Sequence, residues 1–288
     1  MGYNCLFTDA GVTVFRRSDD SIAFKGVLEG QLYLVDFDRA ELDTCLIAKT
    51  NMGWLWHRRL AHVGMKNLHK LLKGEHIWGL THVHFEKDRI CSACQAGKQV
   101  GVHHPHKNIM TTDRPLELLH MDLFGLIAYI SIDKSKYCLV IVDDYSRYTW
   151  VLFLANKDDA IDAFRIFYKK VQNEKCYSIT CIRSDHGGEF AFENFCNNFG
   201  IEHQFSSPRT PQQNGVVERK NRSIQEMART MLNENSLPKY FWAEAVNTAC
   251  YVLNRVLIRP NLNKTPYELW KDRKSNIGYF KVFLCKCF

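Results

Sequence analysis

The chain has 288 residues, 46% hydrophobic and 24% charged, with 38 Lys plus Arg against 31 Asp plus Glu for a formal charge of +7; this excludes wholesale disorder and permits nucleic acid as a partner. No apolar stretch nears the ~20 residues that a membrane-spanning helix needs, and the start, MGYNCLFTDAGV, has the pattern of neither a signal peptide nor a myristoylation site. Eleven cysteines, scattered except for one Cys-x-x-Cys pair, fit reduced thiols and a metal in an intracellular protein rather than a secreted disulfide scaffold.

Residues 1–50 read as a β-meander, with strands at 12–15, 22–27 and 31–35 separated by turn-prone segments such as Arg17-Ser18-Asp19-Asp20. That segment is too short to bury a core alone. From Trp54 the texture turns helical and His-rich up to Cys94, and residues 101–114 read as a linker. A strand at 116–124 and a hairpin of 137–143 with 148–154 around Tyr145-Ser146-Arg147 lead into a helix at 158–174. There Ile161, Phe164, Phe167, Tyr168 and Val171 recur at helical spacing. A strand at 178–183, a helix at 189–199, a strand at 202–206 and helices at about 215–233 and 241–256 follow. This order implies an α/β fold, a mixed sheet covered by helices.

Two constellations carry chemistry. His57 and His62 have four residues between them, and Cys91 and Cys94 have two. Zinc favours four nitrogen and sulfur ligands in a closed tetrahedron, and a Cys-x-x-Cys turn supplies two thiolates from one loop. An i, i+5 pair cannot share one helical stripe, so His62 is expected just past the end of a short helix over 54–61, with Gly64 turning the chain. Residues 51–100 have too few apolar positions for a good independent core, and small modules of that kind usually need a metal. His69, His76, His82, His84, His103, His104 and His106 are competing ligands that composition leaves open.

The second constellation is three carboxylates. Asp122 interrupts an apolar strand, where a bare charge is prohibitive and a partner or cation is needed. Asp185 ends a strand and precedes a Gly187-Gly188 turn, and Glu218 opens the long helix. On that helix Glu218, Arg222, Gln225 and Arg229 form a polar stripe beside an apolar one of Val217, Ile224, Ala228 and Met231. Three carboxylates converging from two strand ends and a helix suit a pair of Mg²⁺ or Mn²⁺ ions. Asp143-Asp144 is a decoy pair at the hairpin turn, expected to serve the turn or a salt bridge.

The segments LWHRRLAH (55–62), CSAC with the following Gly97-Lys98-Gln99, HMDLFG (120–125), RSDHGGEF (183–190) and SPRTPQQNGVVERKNR (207–222) closely resemble the copia-type retrotransposon Pol polyprotein over its pre-integrase zinc region and integrase core. The resemblance implies a ribonuclease-H-like core whose catalytic carboxylates are Asp122, Asp185 and Glu218, binding magnesium, with His57, His62, Cys91 and Cys94 binding structural zinc. It implies DNA integration by metal-dependent strand transfer, making the chain an integrase, a polynucleotidyl transferase and endonuclease, if active. Its partners would be element ends and target DNA, with the protein a homo-oligomer on DNA and no membrane involved. It would work in the nucleus and sit in a cytoplasmic particle beforehand. Arg219, Lys220, Arg222 and Arg229 would hold DNA phosphates. The implied organisation is a β-rich pre-integrase segment (1–50), a zinc-binding module (51–100), a linker (101–114), the catalytic core (115–274) and the start of a truncated C-terminal region (275–288). Departures from the family pattern are Leu126 for Pro, His186 for Asn, and a shorter interval of thirty-two residues between Asp185 and Glu218. They define the alternative, a catalytically inactive remnant that only binds nucleic acid.

Overall fold

The computed structural model describes residues 3–9, 11–16, 21–29, 32–35, 52–80, 83–97, 111–125, 129–185, 189–205 and 214–285. The chain divides into two compact units, Met1–Thr50 and Asn51–Phe288. Leu126, His186 and the stretch 206–213 lie outside the described residues, as do the turn at 17–20 and most of the expected linker.

The first unit is a four-stranded antiparallel meander of β1 (Tyr3–Thr8), β2 (Gly11–Arg16), β3 (Ile22–Glu29) and β4 (Leu32–Val35), paired in chain order. Strand β1 is an addition to the expected set. Its strand state comes from full-length pairing with β2, from Tyr3 opposite Arg16 to Thr8 opposite Gly11, a tertiary cause that the local sequence does not announce.

The second unit is built on a five-stranded sheet of β6 (Leu118–Phe124), β7 (Tyr137–Asp143), β8 (Thr149–Leu154), β9 (Cys181–Ser184) and β10 (Glu202–Phe205). Its spatial order is β10-β9-β6-β7-β8. The first three strands form an antiparallel meander, and β9 and β10 add parallel strands beside β6. Parallel neighbours need crossover helices. These are α4 (Ala160–Lys175) before β9 and α5 (Glu189–Phe199) before β10. The mixed sheet and its helices are the ribonuclease-H-like arrangement expected from sequence.

Alternation along β7 divides the core. Leu139 and Ile141 join Leu119, Met121, Phe164, Phe167, Ile182 and Trp270 on one face. Cys138, Val140 and Val142 face the other way, toward α6 (Gly215–Glu234) and α7 (Trp242–Val256). The apolar stripe expected on α6 is in place, with Val217, Ile224, Ala228 and Met231 all buried.

The His-rich segment folds as α1 (Met52–Arg59), α2 (Met65–Lys73), the short β5 (Ile77–Trp78) and α3 (Ser92–Gly97). Its shortage of apolar residues is made good by sharing. Trp54, Trp56, Leu60, Leu68 and Leu71 belong to one cluster with the buried side of α6 and α7, and a fully buried Leu contributes roughly 1.5–3 kcal/mol. Near the other end of the chain, after α8 (Pro266–Lys271), β11 (Ser275–Asn276) pairs in parallel with β5. No helix among the described residues is long and apolar enough to cross a membrane.

Candidate active site and metal centre

Helix α1 stops at Arg59, and the chain reverses through Ala61 and His62, which both adopt left-handed backbone conformations (φ 49° and 63°). The turn is theirs rather than that of Gly64, whose φ of −62° makes it the extended cap of α2. Left-handed non-glycine residues cost roughly 1–2 kcal/mol each and persist only when their surroundings impose them. Here the His62 amide donates to the His57 carbonyl at 2.7 Å, which returns the imidazole of His62 to that of His57.

The two rings meet with His62 Nδ1 3.1 Å from His57 Nε2. Cys91 Sγ lies 3.5 Å from His62 Nδ1, and Cys94 Sγ lies 3.5 Å from His57 Nε2 and 3.7 Å from His62 Nδ1. All four donor atoms fall within 4.8 Å of one another, a group able to hold a metal ion. The histidines are buried and the cysteines half-buried. Neighbouring acceptors select which nitrogen faces the group. His57 Nδ1 donates to the Val63 carbonyl at 2.8 Å, and His62 Nε2 meets Glu234 Oε2 at 2.9 Å. Of the competing histidines, His69 and His84 are exposed and His76 is buried outside the group, while His82, His103, His104 and His106 lie outside the described residues.

The carboxylates gather at one end of the sheet. On β6, Leu119 and Met121 face the α4 side, and Asp122 faces α6. Strand β9 runs parallel with His120 opposite Arg183; two residues further along that register Asp122 is level with Asp185. Glu218 stands exposed in the first turn of α6. Asn214, just before the helix, donates to the Met121 carbonyl at 3.4 Å and anchors this end beside β6.

Asp122 and Glu218 both respond to the carboxylates around them. Burial pushes the Asp122 carboxyl up to about 6, aided by the charges of Asp185 and Glu218 and opposed by a hydrogen bond from Asn221. Glu218, exposed but partly desolvated, is raised by that desolvation and by Asp185 against the pull of Arg219 and Arg222. Among the described residues they do not close into a group as tight as the His/Cys set. Two buried side-chain oxygens near them, Asn214 Oδ1 and Asn221 Oδ1, have no hydrogen-bond partner.

Asp143 and Asp144 are fully spent in structure. Asp143 accepts from the Leu116 and Ser146 amides, each at 2.8 Å, and from the Ser146 hydroxyl. Asp144 accepts from His120 at 2.9 Å, Arg147 at 2.7 Å, Thr111 at 2.8 Å and Thr112 at 2.9 Å. Burial alone would raise Asp144, but the His120 hydrogen bond and the Arg147 charge hold it well below the usual carboxylate range.

The basic residues of α6 separate. Arg219 and Arg222 are exposed, and Arg229 is half-buried with its Nε donating to the Gln225 carbonyl. Lys220, expected among the phosphate contacts, is instead 9% exposed on the packed side of the helix, and burial pulls its amine down to about 8. Steps of ~100° per residue turn Lys220 and Asn221 inward between the exposed Arg219 and Arg222. Sequence reasoning missed Asn221, one turn beyond Glu218 on the same face, and Glu234. The only sequence sign of Glu234 is a carboxylate placed at a helix C-terminus, where the dipole disfavours it.

A sheet of this order with carboxylates on β6, after β9 and at the start of α6 is the frame of an integrase core. The integrase core domain model matches residues 112–211, and the GAG-pre-integrase domain model matches residues 31–99. The chain belongs to the copia-type retrotransposon Pol polyproteins, over their pre-integrase and integrase-core stretch. It is 34% identical across its whole length to the retrovirus-related Pol polyprotein from transposon TNT 1-94 of Nicotiana tabacum, of which it spans 21%. It is 35% identical over 81% of its length to the corresponding polyprotein from transposon RE2 of Arabidopsis thaliana, of which it spans 16%. The HTLV-2 integrase catalytic core domain in complex with magnesium, in its trimeric form, aligns at 22% identity with a TM-score of 0.41. That alignment covers 55% of this chain and 97% of that one.

Proposed function

We propose that this chain is an integrase that joins DNA 3′ ends to target DNA by metal-dependent phosphoryl transfer. The observation that carries the reading is the convergence of Asp122, Asp185 and Glu218 at one end of the sheet. Burial, with repulsion from Asp185 and Glu218 added to it, raises the Asp122 carboxyl to about 6, a cost that bound cations would relieve. Oxygen donors and open positions for water and phosphate suit Mg²⁺ or Mn²⁺. Bound there, a pair of such ions supplies charge stabilisation for the attacking and leaving oxygens of an in-line displacement.

The protein's own side chains do the positioning. Asp122, Asp185 and Glu218 offer the oxygens, and Asn221 holds one oxygen of Asp122. Arg219 and Arg222 hold DNA phosphates beside them, with Arg229 further along the stripe, contacts that are sequence-independent and salt-sensitive. Lys220 is withdrawn from this role by its burial.

His57, His62, Cys91 and Cys94 form a structural zinc centre in this reading. A tetrahedron with Zn–N of about 2.0–2.1 Å and Zn–S of about 2.3 Å separates nitrogen from sulfur ligands by about 3.5 Å, and the spacings of 3.5, 3.5 and 3.7 Å fit it. The organisation proposed is a pre-integrase segment at 1–50, a zinc module at 51–100, a linker at 101–114 and a catalytic core at 115–274. The working form is a homo-oligomer on element ends and target DNA, acting in the nucleus after residence in a cytoplasmic particle.

The test is joining of a labelled duplex end to plasmid DNA in Mg²⁺ or Mn²⁺. Joined product lost in each of Asp122→Asn, Asp185→Asn and Glu218→Gln is the expected result. DNA binding without any product from the wild type in either metal would overturn it in favour of a binding-only remnant.

A further inference from the structure

We propose that Glu234, at the far end of the helix that begins with Glu218, is a positioning residue of the zinc centre, and that metal binding there clamps the last turn of α6. The inference deepens the zinc reading given above and rests on it.

Three observations lead to it. First, Glu234 Oε2 lies 2.9 Å from His62 Nε2, on a ring that is fully buried. A carboxylate only accepts, so His62 carries its proton on Nε2 and turns the lone pair of Nδ1 toward His57, Cys91 and Cys94. A partner on the outer nitrogen fixes the tautomer and ring orientation of a metal-bound imidazole and raises its basicity. Second, the other oxygen of Glu234 is held by Arg58 Nε, from the helix that carries His57. The carboxylate therefore ties α6 to both histidine ligands at once. Third, Glu234 is misplaced for helix stability alone. It ends a 20-residue helix with no basic residue in its last turn, where the helix dipole disfavours a negative charge.

The cysteine side of the centre is fastened to the same stretch of α6. Gly97 ends the helix that carries Cys94, and an added Cβ there would stand 2.3 Å from Thr230 Oγ1 and 2.7 Å from the Thr230 amide nitrogen. Backbone approach this close packs the end of α3 directly against α6 at Thr230. The two pairs of ligands thus meet α6 at Glu234 and at Thr230, one turn apart. Drawing four ligands onto one ion pulls both attachments together, so metal binding and the order of the last turns of α6 are linked, each favouring the other.

The experiment uses the full chain, with zinc affinity measured by competition with a chromophoric chelator and hydrogen exchange followed over residues 227–234 with and without zinc. The wild type is expected to bind one zinc and to slow exchange of that segment on loading. Glu234→Ala is expected to weaken zinc binding by roughly 10–100-fold and to lose the slowing in α6, while the segments around His57 and Cys94 still gain protection. Glu234→Gln keeps the shape and an accepting oxygen and is expected to recover part of the affinity, which keeps the test open should the alanine variant fail to fold. Wild-type affinity and wild-type α6 protection in both variants would overturn the role of Glu234 alone. A wild type that binds no zinc would overturn the zinc reading and this inference together.

Discussion

Asn221 donates its side-chain amide to Oδ2 of Asp122, reaching across from one helical turn beyond Glu218. A neutral donor there steadies the carboxylate without competing as a cation would. It also leaves Asp122 an uncompensated charge among other carboxylates, which is why burial, Asp185 and Glu218 together raise it to about 6.

That shift has a consequence for stability. The folded value lies above the ordinary ~3.9 of an unfolded aspartate, so protonation favours the fold. The stabilising contribution is complete below about 3.9 and is lost as pH rises through about 6. At pH 7.5 the ionised group costs on the order of 1–3 kcal/mol in metal-free protein. Asp122→Asn should therefore be more stable than wild type in metal-free urea unfolding at pH 7.5, with the gain absent at pH 4 and reduced by added Mg²⁺. Equal midpoints at pH 7.5 would count against the crowding of these charges.

Neighbouring cations on α6 should behave in opposite ways. Arg222→Ala is expected to weaken DNA binding on all sequences and to lower the salt slope by about 1. Lys220→Met should leave that slope unchanged. Because burial depresses the amine to about 8, below its unfolded ~10.4, the folded state resists protonation. Its penalty is complete below about 8 and fades as pH rises toward 10.4. Lys220→Met should raise stability by ~1–3 kcal/mol at pH 7, read from denaturant midpoints.

Asp144→Asn separates structure from chemistry. Its carboxylate serves four donors, including the Arg147 guanidinium, and removing one partner of such a buried ionic network costs about 3–5 kcal/mol. Thermal unfolding should record that loss, while strand joining per folded molecule persists. Loss of joining in fully folded protein would assign the residue a role at the site.

Zinc stoichiometry tests the four-ligand set directly. Native mass spectrometry should find one zinc per chain in the wild type and none in Cys94→Ser. Gly97→Ala should retain the ligands yet lose ~1–3 kcal/mol of stability, because the added methyl must displace Thr230. Retention of stoichiometric zinc by Cys94→Ser would remove Cys94 from the set.

The long amphipathic helix was legible in the chain itself, since Val217, Ile224, Ala228 and Met231 recur at a period that only one helical face satisfies. So was the hairpin around Tyr145-Ser146-Arg147. The candidate carboxylates and metal ligands were legible because their residue types are costly to bury without a partner, which makes Asp122 in an apolar strand stand out. Local pattern has no access to what another segment supplies. It could not show that α1 and α2 borrow the core of α6 and α7, that β1 pairs with β2, or that β11 returns to β5. Nor could it orient Lys220, because a basic residue between the exposed Arg219 and Arg222 looks the same until helix packing sets which side faces the core. The linkage of His62 to Glu234 spans 172 residues. Contacts of that range exist only once a sheet, a shared core and a tight turn through Ala61 and His62 have brought the two side chains together.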